Sequence, residues 1–200
     1  MKLLALLALD LILVAGCGGA GGSAAPSAGS GTAAATGPAR SALVAPAGDP
    51  LPHEDPALEA RLPREVDGKP LTVFSIGPIA AAGNPGAAPI KDLAREIGDG
   101  TGDFGLAYGS DPTAPTFNFF ALRIPGAQAD EVVARYGALT LADTPNGTLE
   151  TVTVGGREVA HVTAPGNPIG DVWIFATEDT LFGIQARTAD RTAELLALLP

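Results

Sequence analysis

The chain has 200 residues, with 12 Lys+Arg against 22 Asp+Glu for a net charge of −10, and it carries 26 Gly, 18 Pro, two His and one Cys. A single cysteine forms neither an intramolecular disulfide nor a Cys-rich zinc site, and two histidines leave little material for a His-based metal centre. Phosphate backbones are bound by Lys and Arg, so a chain this acidic is not expected to have nucleic acid as a partner.

Met1 and Lys2 precede an apolar run from Leu3 to Ala15, interrupted once by Asp10, and then come Gly16 and Cys17. A spanning helix needs about 20 apolar residues and a signal-peptide core about 7–15, so residues 1–16 read as a signal peptide. From the residues alone, the stretch is compatible with an ordinary secretory signal followed by a chance cysteine. The sequence Val14-Ala15-Gly16-Cys17, however, resembles the lipobox of bacterial lipoproteins. The resemblance implies cleavage before Cys17, a diacylglyceryl group on its thiol and often an acylated new amino terminus. Membrane lipid is then the first partner, in the bacterial cell envelope outside the cytoplasm. Each buried CH₂ contributes about 0.8 kcal/mol, so two or three chains anchor where one does not. Loss of residues 1–16 removes Lys2 and Asp10, one charge of each sign, which leaves the body acidic and repelled by anionic lipid.

Residues 17–49 comprise the cysteine and a Gly/Ala/Ser/Pro tether with too little apolar surface to offset the entropy of ordering, a composition that predicts disorder. At about 5–6 Å × √n its reach is roughly 30 Å. Every aromatic residue lies at or beyond Phe74, which places the core in residues 50–200, one domain of ordinary size. Pro50–Pro63 reads as an extended lead-in. Asp67-Gly68 predicts a tight hairpin turn before the strand-forming segment Lys69–Ile76. A Gly/Ala/Pro loop, Gly77–Ala88, follows. Ile90, Leu93, Ala94 and Ile97 then form one helical stripe, with Pro89 at its start and Gly98 at its end.

Phe104–Tyr108 and Phe117–Ile124 read as strands, and Asp130-Glu131 opens a second helix that turns Val132, Val133, Tyr136 and Leu139 inward. Leu149–Val154 and Arg157–Val162 flank the Gly155-Gly156 turn, and Asp171–Thr177 and Thr180–Ala186 flank Glu178-Asp179. A final helix over Ala189–Leu199 is capped by Thr188 or Asp190. In Asp171–Thr177, Trp173 and Phe175 alternate with Val172 and Ile174, so that strand is expected to be covered on both faces. The recurrence of strand, strand, helix predicts an α+β fold: an antiparallel sheet of repeated hairpin-then-helix units with the helices on one face.

Few residues point to chemistry. His161 lies on the strand face of Val159, but no nucleophile elbow or second cysteine accompanies it. His53-Glu54-Asp55 offers too few convergent ligands for zinc. Asp99 and Asp103 share a Gly-rich loop suited to a hard cation, though the spacing differs from an EF-hand, and a plain connection explains them as well. Glu178 and Asp179 are adjacent in a turn, whereas glycoside chemistry needs carboxyls across a cleft. Cys17 is thus the one assigned site, for lipidation, with no catalytic residue, cofactor or metal expected. The domain is also similar to small lipoprotein domains that close on a hairpin and an LLALLP-like helix, a likeness that brings no site residues. Two readings follow. The first is a noncatalytic module presenting a sheet or a loop (Gly77–Ala88 or Asp111–Thr116) to another envelope protein. The second is a carrier or sensor of a small apolar, lipid-like ligand in a cavity under Gly77–Ala88, with Ile79 in its lid.

Overall fold

A computed structural model describes residues 51–82, 84–113 and 116–200. The signal peptide expected over 1–16, Cys17 and the tether expected over 17–49 lie outside the described residues. The lead-in is not extended throughout. The Asp55 carboxylate accepts from the Leu58 N–H at 3.0 Å and caps a one-turn helix α1 (Pro56–Glu59), with Pro56 in the first turn, where a missing N–H costs nothing. Asp67 and Gly68, at φ 54° and 74°, join β1 (Glu65–Val66) to β2 (Lys69–Pro70), and β3 (Thr72–Ile76) follows.

The stretch expected as a Gly/Ala/Pro loop is partly helical. It forms α2 (Pro78–Ala81) and a 3-10 turn at Pro85–Ala87, each opened by a proline, before α3 (Ala88–Ile97). The chain continues through β4 (Gly105–Ser110), β5 (Phe117–Arg123), α4 (Ala129–Ala142), β6 (Leu149–Val154) and β7 (Arg157–Val162). It ends with β8 (Asp171–Thr177), β9 (Thr180–Ala186) and α5 (Ala189–Leu196), the last capped by the Thr188 hydroxyl.

Strands β3 to β9 form one antiparallel seven-stranded sheet in the order β3-β4-β5-β9-β8-β7-β6. At its middle, β5 and β9 pair from Phe117↔Ala186 to Arg123↔Thr180. Phe119, Ala121, Phe182 and Ile184 lie on one face with Leu58 of α1 and Leu195 and Leu196 of α5. On the other face, Phe120, Leu122, Ile174 and Leu181 pack with Ile90 of α3 and Val132 of α4. The expectation of helices on one face is therefore corrected: both faces are covered, because successive residues along the central strands are apolar and each face must leave water. Helices α4 and α5 also leave their hairpins toward opposite faces, so the expected hairpin-then-helix unit does not recur in space.

The two outer edges differ. Beside β3, His53 bridges Ser75 in parallel, with Ser75 N–H to Pro52 C=O at 3.0 Å and Glu54 N–H to Ser75 C=O at 3.3 Å, so that edge is occupied. The outer edge of β6 has no strand partner among the described residues.

Inside the seam, Phe120 lies opposite Gly183, and a Cβ at Gly183 would overlap the Phe120 ring. The glycine is there for space, with the aromatic ring filling the area it vacates. Gly183→Ala should cost about 1–3 kcal/mol by overpacking, read as a lower urea midpoint. Combined with Phe120→Leu, the loss should be smaller than the sum of the two single losses; strict additivity would show that the ring is not the obstacle.

Candidate functional site

The candidate residues of the sequence are dispersed by the fold. Glu54 accepts from the Ala80 N–H at 2.5 Å, Asp55 caps α1 and takes Arg123 at 2.7 Å, and His53 Nδ1 meets Glu59 at 2.8 Å, so this trio does not converge. Asp99 accepts from both the N–H and the hydroxyl of Thr101, which holds its carboxyl below the usual range, and Thr101 in turn receives the Asp103 N–H. The loop uses Asp99 for its own backbone rather than for a cation. Glu178 and Asp179 sit at a solvated tip, with side chains 79% and 61% exposed, where Arg61 reaches each at 3.3 Å, lies 4.8 Å from the Phe182 ring centre and links the end of the α1 segment to this hairpin. Among the described residues no group of three or more His, Cys, Asp and Glu side chains could hold a metal, and no helix is long and apolar enough to cross a membrane.

One cluster was not legible from spacing. Glu59, only 4% exposed, accepts from the Ser75 hydroxyl at 2.7 Å and faces His53 and Arg64. Ser75 also receives the Asp55 N–H at 2.7 Å. The carboxylate stands between serine and imidazole, so the histidine has no contact through which to deprotonate the hydroxyl. The cluster instead ties residues 52–59 to the edge of β3. The Asp55-Pro56 start signal, which sets Glu59 in the only turn of α1, was the available clue.

His161 is 8% exposed and stacks on Trp173 of β8, with ring centres 3.6 Å apart and planes 5° apart. Its Nε2 faces Asp171 at 2.9 Å and its Nδ1 faces Glu150 of β6 at 3.3 Å. A general base needs one ring nitrogen turned to its nucleophile; here both are turned to carboxylates. The side chain works as a rivet through β6, β7 and β8. The indole N–H of Trp173 finds no acceptor, so stacking and burial hold that ring. Trp173 is the only tryptophan of the chain. His161→Ala should remove about 2 kcal/mol of stability by losing the stack on Trp173 and the link to Asp171, which keeps only the Ala164 N–H at 2.7 Å, and should shift tryptophan emission to longer wavelength. Unchanged emission would place the ring's environment elsewhere.

Between α3, α4 and the sheet lies a crevice of about 60 Å³. Ile90, Phe120 and Leu139 form its apolar wall, and Asn118, Gln185 and Asp143 its polar end. Burial raises Tyr136 to about 12, and burial together with the neighbouring Tyr136 hydroxyl raises Tyr108 well above its ordinary value. Pockets that bury a small ligand hold about 300–1,000 Å³, so this space suits water rather than an acyl chain. It also lies beyond the stretch expected to lid a cavity, where Ile79 is 83% exposed.

Asp143 ends α4 with Oδ1 buried and unpartnered, and burial raises its carboxyl above 3.8. A raised folded-state value means that the proton is held more tightly in the folded protein, so the charged side chain costs stability as pH rises through that range. Asp143→Asn should melt higher than the parent at pH 7, with the gain vanishing below the ordinary value of 3.8; thermal melts at several pH values check the sign.

A wider and more open space than this crevice, about 640 Å³, lies where the sheet divides. Strands β6 and β7 pair along their whole length, as do β8 and β9, but β7 and β8 pair only from Ala160↔Ile174 to Val162↔Val172. Arg157–Val159 and Phe175–Thr177 therefore diverge and line a slot, with Asp130 and Val133 of α4 along one side. The β6–β7 turn lies beside α5, with Gly155 next to Ala193. The His161 rivet sits at the closed end. Comparison with protein-family models, curated proteins and solved structures gave no match for the chain.

Proposed function

We propose that the chain is a lipid-anchored protein of the bacterial cell envelope, held outside the cytoplasm by acylated Cys17, whose domain is a noncatalytic binding module for another envelope component. The anchor and the location rest on Val14-Ala15-Gly16-Cys17 and the apolar run before it. The observation that carries the binding role is the asymmetry of the sheet: its β3 edge is occupied by residues 52–54, whereas the β6 edge and the divided β7–β8 ladder leave strand backbone open at the other end. Such edges recruit extended segments of other chains. The apolar-carrier reading is weaker, since the crevice behind α3 and α4 offers about 60 Å³.

In cells, the protein should lack residues 1–16, carry acyl mass on Cys17 and sediment with membranes. Cys17→Ala should release it, and a crosslinker placed at Thr151 on the open edge should then lose its envelope partner. An intact mass with a free thiol or a retained leader overturns the anchor, and no Thr151 adduct in the wild type overturns the binding role.

A further inference from the structure

The crevice between α3, α4 and the sheet contains one carboxylate and nothing to neutralise it. Asp143 is the only charged residue in its lining, which among the described residues includes no Lys, Arg or His. Neither oxygen of Asp143 has a hydrogen-bond or salt-bridge partner among the described residues, and Oδ1 is buried. Helix α4 adds charge of the same sign. Its 14 residues end at the crevice, with Thr140 in the lining, and its last turn carries no basic side chain, so the negative end of the helix dipole is left without a counter-charge. We propose that this crevice binds a small primary ammonium, with the charged nitrogen at Asp143 beside the end of α4 and a short alkyl stem on Ile90, Phe120 and Leu139. The inference goes beyond the binding-module reading and needs neither the anchor nor the open sheet edge.

Size and lining narrow the class. A water-sized group needs about 10–15 Å³, so a space of about 60 Å³ takes an ammonium with two or three carbons and no more. A metal cation such as Ca²⁺ asks for about 6–8 oxygen ligands, and much of this lining is apolar. An ammonium carries only three donors, and acceptors for them line the same space. Tyr108 and Tyr136 have hydroxyls with no hydrogen-bond partner among the described residues, and burial keeps both in the neutral form that accepts. Asn118 donates from Nδ2 to Gln185 Oε1 at 3.2 Å, which leaves its own amide oxygen as a further acceptor. A second anion on the ligand has no place: with no cation in the lining, a carboxylate or phosphate next to the amine would be repelled by Asp143 and by the helix end. Amino acids and the ethanolamine headgroup of a phospholipid are therefore rejected, and simple amines are kept.

The test titrates the full chain, isotope-labelled and in detergent, with ethylammonium chloride at fixed ionic strength and follows the Thr140–Thr144 amide resonances by NMR. Three non-hydrogen atoms limit the affinity, so saturable shifts with a Kd of about 1 mM are expected, and sodium chloride should produce none. Glycine, phosphoethanolamine and tetramethylammonium, the last with no N–H, should each bind at least about tenfold more weakly. Asp143→Asn, expected to melt higher than the parent at pH 7, should lose affinity by at least about tenfold while remaining folded. Leu139→Trp, which fills the crevice with Asp143 in place, should abolish binding. The proposal is overturned if the shifts do not saturate, if Asp143→Asn binds like the parent, or if glycine or phosphoethanolamine binds as well as ethylammonium. It is also overturned if sodium produces the same shifts, which assigns the site to a metal cation, or if tetramethylammonium binds equally, which assigns it to the aromatic rings alone. None of these results depends on acylation at Cys17 or on the β6 edge, so failure here leaves both standing, and their failure leaves the crevice standing.

Discussion

The structure depends on the pairing of β5 with β9. Their seven register pairs join strands more than fifty positions apart in the chain, and without them the β3-β4-β5 and β9-β8-β7-β6 segments are two small sheets, each with a bare edge. The pairing also makes two cores at once. Phe119 and Phe182 go to the α1/α5 side, Phe120 and Leu181 to the α3/α4 side, so neither layer forms without the seam. Fully burying an aromatic or aliphatic side chain contributes about 1.5–3 kcal/mol, and closing the long loop costs comparatively little, since loop entropy grows only logarithmically. The seam is thus favoured in spite of its separation in sequence.

Much of the local structure was legible. Asp67-Gly68 and Gly155-Gly156 place turns because those residues tolerate the positive φ that a tight hairpin requires, and the stripe of Ile90, Leu93, Ala94 and Ile97 marks α3. The short helices in the lead-in and in the Gly/Ala/Pro stretch were hidden because a one-turn helix shows no period; only the caps, Asp55-Pro56 and Asn84-Pro85, announce them. The one-face arrangement was a misreading of a visible signal. Val172, Trp173, Ile174 and Phe175 already imply cover on both sides of β8, and the same alternation in Phe119, Phe120, Ala121 and Leu122 extends that demand to β5.

The candidate site was largely illegible for a different reason. His161 gains its partners from Glu150 on β6 and Asp171 on β8, and no spacing in the chain announces that three strands meet there. The divided ladder between β7 and β8 is less visible still, because where two strands stop pairing, here beyond Ala160 and Ile174, is a property of their assembled arrangement and not of either segment. Local propensity makes β7 and β8 equally good strands over their whole lengths, and only the assembled fold leaves part of them unpaired.

Residues 52–54 lie along β3, so the described chain enters at the side of the sheet farthest from β6. With seven strands, six spacings of about 4.8 Å put roughly 29 Å between the entry point and that distant rim. The described chain thus begins at the heel of the sheet, and β6 is its toe. A body engaged at that rim would be kept at arm's length from the entry point by the width of the sheet itself.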